Sequence, residues 1–156
     1  MNFFEPVKGP SAVRRDELGN FNKAYRTKPH RGADFGYDSG SQGKPVFAVN
    51  DSVVSRILYT GELGHCLIAK HVSTKTYWMY SHLQNITAKK GDQLVGGKQF
   101  AEIGPHKNGP HLHLAVSKDQ LPHLAAFHKL LDPFKLIDAN KPKPVKKPVA
   151  KKKVTK

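Results

Sequence analysis

From Lys44 to Val116 the chain repeats one unit, a short apolar run followed by a tight cluster of turn formers. Pro45-Val46-Phe47-Ala48-Val49 gives way to Asn50-Asp51-Ser52, and Val53–Tyr59 gives way to Thr60-Gly61-Glu62-Leu63-Gly64. His65–His71 and Thr76–Leu83 follow across a polar link, and Gln93–Val95 and Gln99–Ile103 continue the series between glycine turns. Runs this short, broken this often, do not build amphipathic helices; they pair as hairpins. The expectation is a mainly β protein, a β-rich α+β fold whose antiparallel sheet curls into a barrel- or sandwich-like core.

The last strand of the series carries chemistry. In Gly109-Pro110-His111-Leu112-His113-Leu114-Ala115-Val116 the residues after the Gly-Pro break alternate, so His111 and His113 share one face while Leu112, Leu114 and Val116 take the other. Two imidazoles in this register point to metal binding or acid/base chemistry. A second such stretch is Pro29-His30-Arg31-Gly32-Ala33-Asp34-Phe35-Gly36-Tyr37. Its proline and two glycines argue against a helix, so His30 and Asp34 are expected to converge through a bent loop that runs into a short strand. His82 closes the run Tyr77-Trp78-Met79-Tyr80-Ser81-His82-Leu83.

The flanks are simpler. Residues 1–29 lack periodicity and suggest an extended N-terminal wrap. Leu121, Leu124, Phe127, His128 and Leu131 fall at helical spacing, which predicts one short C-terminal helix closed by Asp132-Pro133. Residues 139–156 are rich in lysine and proline and predict a disordered basic tail or linker after a folded domain at 1–138. Of the formal net charge of +14, eight lysines between 141 and 156 supply more than half, so the charge marks a polyanion as partner without naming it. No apolar run reaches the roughly 18 residues that a membrane span needs. The N-terminus shows no signal-peptide pattern, so synthesis in the cytoplasm is expected. Cys66, the lone cysteine, sits in an apolar run and is expected in the core rather than in catalysis.

His30 with Asp34, His82, and His111 with His113 together offer the nitrogen and oxygen donors that a catalytic zinc ion takes, about three protein ligands and a water. In order, His30-Arg31-Gly32-Ala33-Asp34-Phe35-Gly36, Gly43-Lys44-Pro45-Val46-Phe47-Ala48, Tyr80-Ser81-His82-Leu83, Lys90-Gly91-Asp92 and Gly109-Pro110-His111-Leu112-His113-Leu114 resemble the blocks of the lysostaphin-like zinc endopeptidases, which cut peptidoglycan cross-links. The resemblance covers about residues 10–138. It implies one zinc ion per chain held by His30, Asp34 and His113, with His82 and His111 as the catalytic histidines, and a substrate groove across the sheet. His71, His106 and Tyr80 are further candidates for supporting the site or lining that groove, and Tyr25 is another for the groove.

On this resemblance the partner is bacterial peptidoglycan, with anionic wall polymers as a second partner for the basic tail. Without an export signal, the expected setting is a phage lysin acting on the wall after release, or a virion-associated enzyme. The competing reading is a non-enzymatic protein on a β-barrel scaffold that binds the cell wall or a polyanion such as nucleic acid. It leaves the histidines and Asp34 without a task, and the chain lacks the interleaved aromatics of nucleic-acid readers.

Overall fold

The computed structural model describes residues 1–21 and 28–144. Tyr25 and most of the basic tail lie outside these residues. Ten strands form one curled antiparallel sheet: β1 (Ala12–Asp16), β2 (Ala33–Tyr37), β3 (Pro45–Phe47), β4 (Ser52–Thr60), β5 (Gly64–His71), β6 (Thr76–Gln84), β7 (Gln93–Leu94), β8 (Gln99–Ile103), β9 (Leu112–Ser117) and β10 (Leu130–Leu131). Their order is β1-β2-β9-β6-β5-β4-β7, with β10 on β9 and with β8 joining β3 to β6. The expected mainly β fold is borne out, and the strands expected between Pro45 and Val116 appear within a few residues of their expected bounds.

Alternation sorts the two faces of the central strands. Trp78 and Tyr80 of β6, Leu67 and Ala69 of β5, and Leu112, Leu114 and Val116 of β9 enter the main core together with Phe35, Val46 and Ile103. Their neighbours Met79, Cys66, Ile68 and Ala115 form a smaller cluster on the opposite face. Full burial of each large apolar side chain contributes about 1.5–3 kcal/mol, so the main core carries the fold. His113 lies between Leu112 and Leu114 in β9, on the face of the smaller cluster.

One strand breaks the alternation. Between β5 and β6 the register runs from Leu67 opposite Tyr80 to His65 opposite Leu83, which leaves one residue more on β6 than on β5. Strict period two would send His82 into the core after Trp78 and Tyr80. Instead His82 takes φ +61°, a left-handed conformation rare for non-glycine residues, and the bulge turns its ring to the face that carries His113. Here β6 also changes partner, from β9 at Ser81 opposite His113 to β8 at Leu83 opposite Ile103. Backbone bonds from His82 N–H to Leu63 O (2.8 Å) and from Gly104 N–H to His82 O (2.7 Å) hold the bulge.

The flanks depart from expectation. The N-terminal wrap contains a true strand, β1, whose own bulge leaves Arg15 without a residue opposite on β2. Arg15 uses that freedom to donate to the carbonyls of Tyr37 (3.1 Å) and Pro110 (3.2 Å), tying β1 to the loop before His111. The helix predicted across Leu121–Leu131 does not form; two 3₁₀ turns, at Pro122–Leu124 and Phe127–Lys129, and β10 stand there. Leu121 packs in the smaller cluster and Leu131 against the main core, so the segment must cross between faces and cannot present one helical stripe. The helix, α1, is Pro133–Ala139. Asp132-Pro133 therefore opens a helix instead of closing one: the Asp132 carboxylate accepts from Phe134 N–H (2.9 Å) and Lys135 N–H (3.3 Å), and Pro133 occupies the first turn.

Candidate metal centre

Three elements meet at the donors. Asp34 is the second residue of β2 and pairs with His113 of β9, while His30 reaches the same point from the loop ahead of β2. Gly32 makes the approach possible: a Cβ there would lie 2.5 Å from Leu114 O and 2.8 Å from His113 Cε1. The three inward atoms form a near-equilateral triangle, with His113 Nδ1 to Asp34 Oδ1 at 3.0 Å, His30 Nε2 to Asp34 Oδ1 at 3.1 Å and His30 Nε2 to His113 Nδ1 at 3.2 Å. A tetrahedral zinc ion with bonds of about 2.1 Å sets its donors about 3.4 Å apart, so this triangle is one face of such a site to within a small adjustment. The donor set of two imidazoles and a carboxylate, with no thiolate, is that of a catalytic rather than a structural zinc site.

The protonation pattern suits a cation. Burial pushes the Asp34 carboxyl up, but hydrogen bonds and charge from His113 and His30 outweigh it and hold the acid well below the usual carboxylate range. Burial pushes the His113 imidazole down, against the upward pull of the adjoining Asp34 carboxylate. His30 Nδ1–H donates to the Glu17 carbonyl (3.1 Å) and lies 3.3 Å from the Asp16 carboxylate, which orients the ring so that Nε2 faces inward. Nothing in the sequence singled out Asp16 or Glu17. They lie in a segment without periodicity, and only the pairing of β1 with β2 carries them to His30.

A second group of imidazoles adjoins the triangle. His82 and His111 have ring centroids 4.7 Å apart, and His106 stands 4.4 Å from His82 and 4.7 Å from His111. The two groups, His30-Asp34-His113 and His82-His106-His111, are the clusters of metal-ligating geometry among the described residues. His111 Nδ1–H donates to Gly109 O (2.9 Å), and its Nε2 stands 3.7 Å from Asp34 Oδ1. Burial first, and then the neighbouring imidazoles, push His82 down to about 3. Clefts of about 710, 630 and 470 Å³ converge here, reached respectively by Asp34 and His111, by His82 and His106, and by His113.

The structure thus gathers His30, Asp34, His82, His106, His111 and His113 into one place. It does not bring His71 or Tyr80 there. His71 ends β5 far along the sheet, packed edge-on against Phe3 and bonded through Nδ1 to Thr74 Oγ1. Tyr80 is fully buried in the main core; its hydroxyl accepts from Val49 N–H, and its ring meets Phe100 edge-on. Cys66 is buried as expected, and burial raises its thiol.

Residues 28–124 match a family model described as Peptidase family M23. The chain is 35% identical, over 91 residues, to a Haemophilus influenzae protein named only as an uncharacterized metalloprotease, covering 56% of this chain and 18% of that protein. Over 94 residues it is 35% identical to the peptidoglycan DD-endopeptidase ShyB of Vibrio cholerae, covering 58% of this chain and 21% of that protein. The chain thus spans roughly a fifth of the length of these curated relatives. A zinc-containing peptidase from Vibrio cholerae shares the fold with a TM-score of 0.68 at 24% identity, over 91% of this chain and 41% of that one. The match spans both histidine clusters and the β2, β6 and β9 strands that position them, and the chain belongs to peptidase family M23.

Proposed function

We propose that the protein is a zinc-dependent endopeptidase that hydrolyses peptide cross-links of bacterial peptidoglycan, with residues 1–138 as its peptidase domain. The observation that carries this reading is the 3.0–3.2 Å triangle of His30, Asp34 and His113 set beside the pair His82 and His111, whose ring centroids lie 4.7 Å apart. When bound there, one zinc ion supplies a Lewis acid that polarises a carbonyl and lowers the pKa of a water.

The chain's own groups then divide the proton work. His111 presents the lone pair of Nε2, fixed by the bond from its Nδ1–H to Gly109 O, and takes the proton from the attacking water. His82 stays neutral, because burial drives its pKa to about 3, and serves as an N–H donor to the oxygen that gains charge. The converging clefts bind the peptide on both sides of the scissile bond. Similarity to a protein named a DD-endopeptidase favours a cross-link between D-residues over a glycine bridge. The lysines of residues 139–156 suit anionic wall polymers.

The test is clearing of wall suspensions by the purified protein, with mass analysis of the released fragments. Clearing that a chelator abolishes, that zinc restores and that His113→Ala lacks supports the reading. Clearing that survives both the chelator and His113→Ala overturns it.

A further inference from the structure

The cleft of about 470 Å³ that His113 lines holds a cation to which the reaction gives no task. Arg31 follows His30 in sequence, is half-buried, and donates from Nη2 to Ala125 O, just after the 3₁₀ turn Pro122–Leu124. That bond fastens the guanidinium to the turn, which supplies His123 and Leu124 to the same cleft. Among the described residues, no other acceptor takes from Arg31 and no carboxylate pairs with it, so its remaining N–H groups stay unused. Glu62 also lines the cleft, but it is exposed and makes no ion pair with Arg31. Positive charge extends further along the wall: burial, and then Arg31 and Arg56, push the His123 imidazole down. A half-buried guanidinium with spare donors and no acid beside it is a receptor for a carboxylate, which its planar fork matches.

We propose that Arg31 forms a carboxylate subsite, which selects cross-links whose scissile nitrogen sits on a carbon that also carries a free carboxylate. The subsite rests on the endopeptidase reading and narrows its substrate. A linkage from a D-residue to the D-centre of a meso-diamino acid has that carboxylate on the atom next to the reacting nitrogen. A glycine bridge, or a linkage to the terminal amine of a lysine, has none there. The two sites adjoin, because His113 belongs both to the metal triangle and to the wall of this cleft. A carbonyl at the triangle therefore places the next residue in the cleft with Arg31. Leu124, 71% exposed, offers an apolar surface to the methylene stem of the diamino acid. The Arg31 cleft then holds the amine side of the scissile bond, and the cleft lined by Asp34 and His111 holds the acyl side.

The experiment uses the full chain and two synthetic peptides with a D-alanyl to meso-diaminopimelate cross-link. They differ only beside the linking nitrogen, where one has a free carboxylate and the other a carboxamide. Calorimetry on the metal-stripped protein reads binding without cleavage, and with no ion to take the carboxylate. The expected result is an affinity about tenfold or more higher for the carboxylate peptide. Arg31→Gln brings the two affinities to within about twofold, while Arg31→Lys, which keeps the charge but not the fork, retains part of the difference. Zinc uptake by each variant reports that it is folded. Equal affinities in the wild type overturn the subsite, and a difference that survives intact in Arg31→Gln overturns its assignment to Arg31. Mass analysis after incubation with the zinc-loaded wild type keeps the two readings apart. Cleavage of both peptides alongside equal binding removes the subsite alone, and cleavage of neither peptide nor wall material overturns the endopeptidase reading and the subsite with it.

Discussion

Asp34 and His113 face each other across the β2–β9 ladder, and their inward atoms, Oδ1 and Nδ1, stand 3.0 Å apart. Because both belong to paired strands, the spacing is set by the backbone ladder and not by the reach of flexible side chains. Asp34→Asn keeps the shape but removes the anion that His30 and His113 surround. It is expected to lower zinc affinity by more than the roughly 10–100-fold that losing an outer partner costs, and to leave the sheet intact. Chelator competition and far-ultraviolet circular dichroism on the same sample check both halves.

Asp16 touches the site through His30 Nδ1, at 3.3 Å. Asp16→Asn should weaken zinc binding by about 10–100-fold through a less well oriented His30. Glu17 O still accepts from the same nitrogen, so the loss is partial. Zinc affinity equal to that of the wild type would show that the carbonyl alone positions the ring.

Gly32 leaves no room for a methyl group between Leu114 O and the His113 ring. Gly32→Ala is therefore expected to cost about 1–3 kcal/mol of stability and to loosen the metal triangle at the same time. Denaturant unfolding with and without zinc separates the effects, since a purely local strain would leave the zinc-dependent increment unchanged.

The metal-free protein should lose stability on acidification through His82. Its folded pKa is lowered from 6.5 to about 3, so between those values the unfolded chain binds a proton that the folded chain refuses. Stability is held above pH 6.5 and falls as the pH drops toward 3. His82→Asn, which tolerates the same left-handed backbone, should show a shallower fall in urea unfolding across that window. Parallel curves for the two proteins would rule this origin out.

The series of hairpins was legible because apolar alternation and turn residues agree from Pro45 to Val116. The shared face of His111 and His113 followed from the same period. His82 is the instructive exception: alternation from Trp78 and Tyr80 directs it into the core, and only a register shift against β5 turns it out. No local signal in Tyr80-Ser81-His82-Leu83 marks that bulge, because it depends on what β5 and β8 do opposite. The C-terminal segment misled for a related reason. Helical spacing from Leu121 to Leu131 says which residues are apolar, but not that they serve opposite faces of one sheet. Asp132-Pro133 fits the stop of one helix and the start of another, and tertiary packing selects the second. Asp16 was invisible because its partner His30 lies in the loop ahead of β2 and is reached only once β1 and β2 pair.

Both ends of the described domain are fastened together. Phe3 N–H donates to Asn140 O at 2.7 Å, and Phe3 and Ile137 share the main core, on the opposite face from His113. A tether, tag or added module at either end therefore departs from one common point behind the sheet. Such an attachment can anchor the protein to a support or a target surface while the clefts on the other side stay open to a polymer.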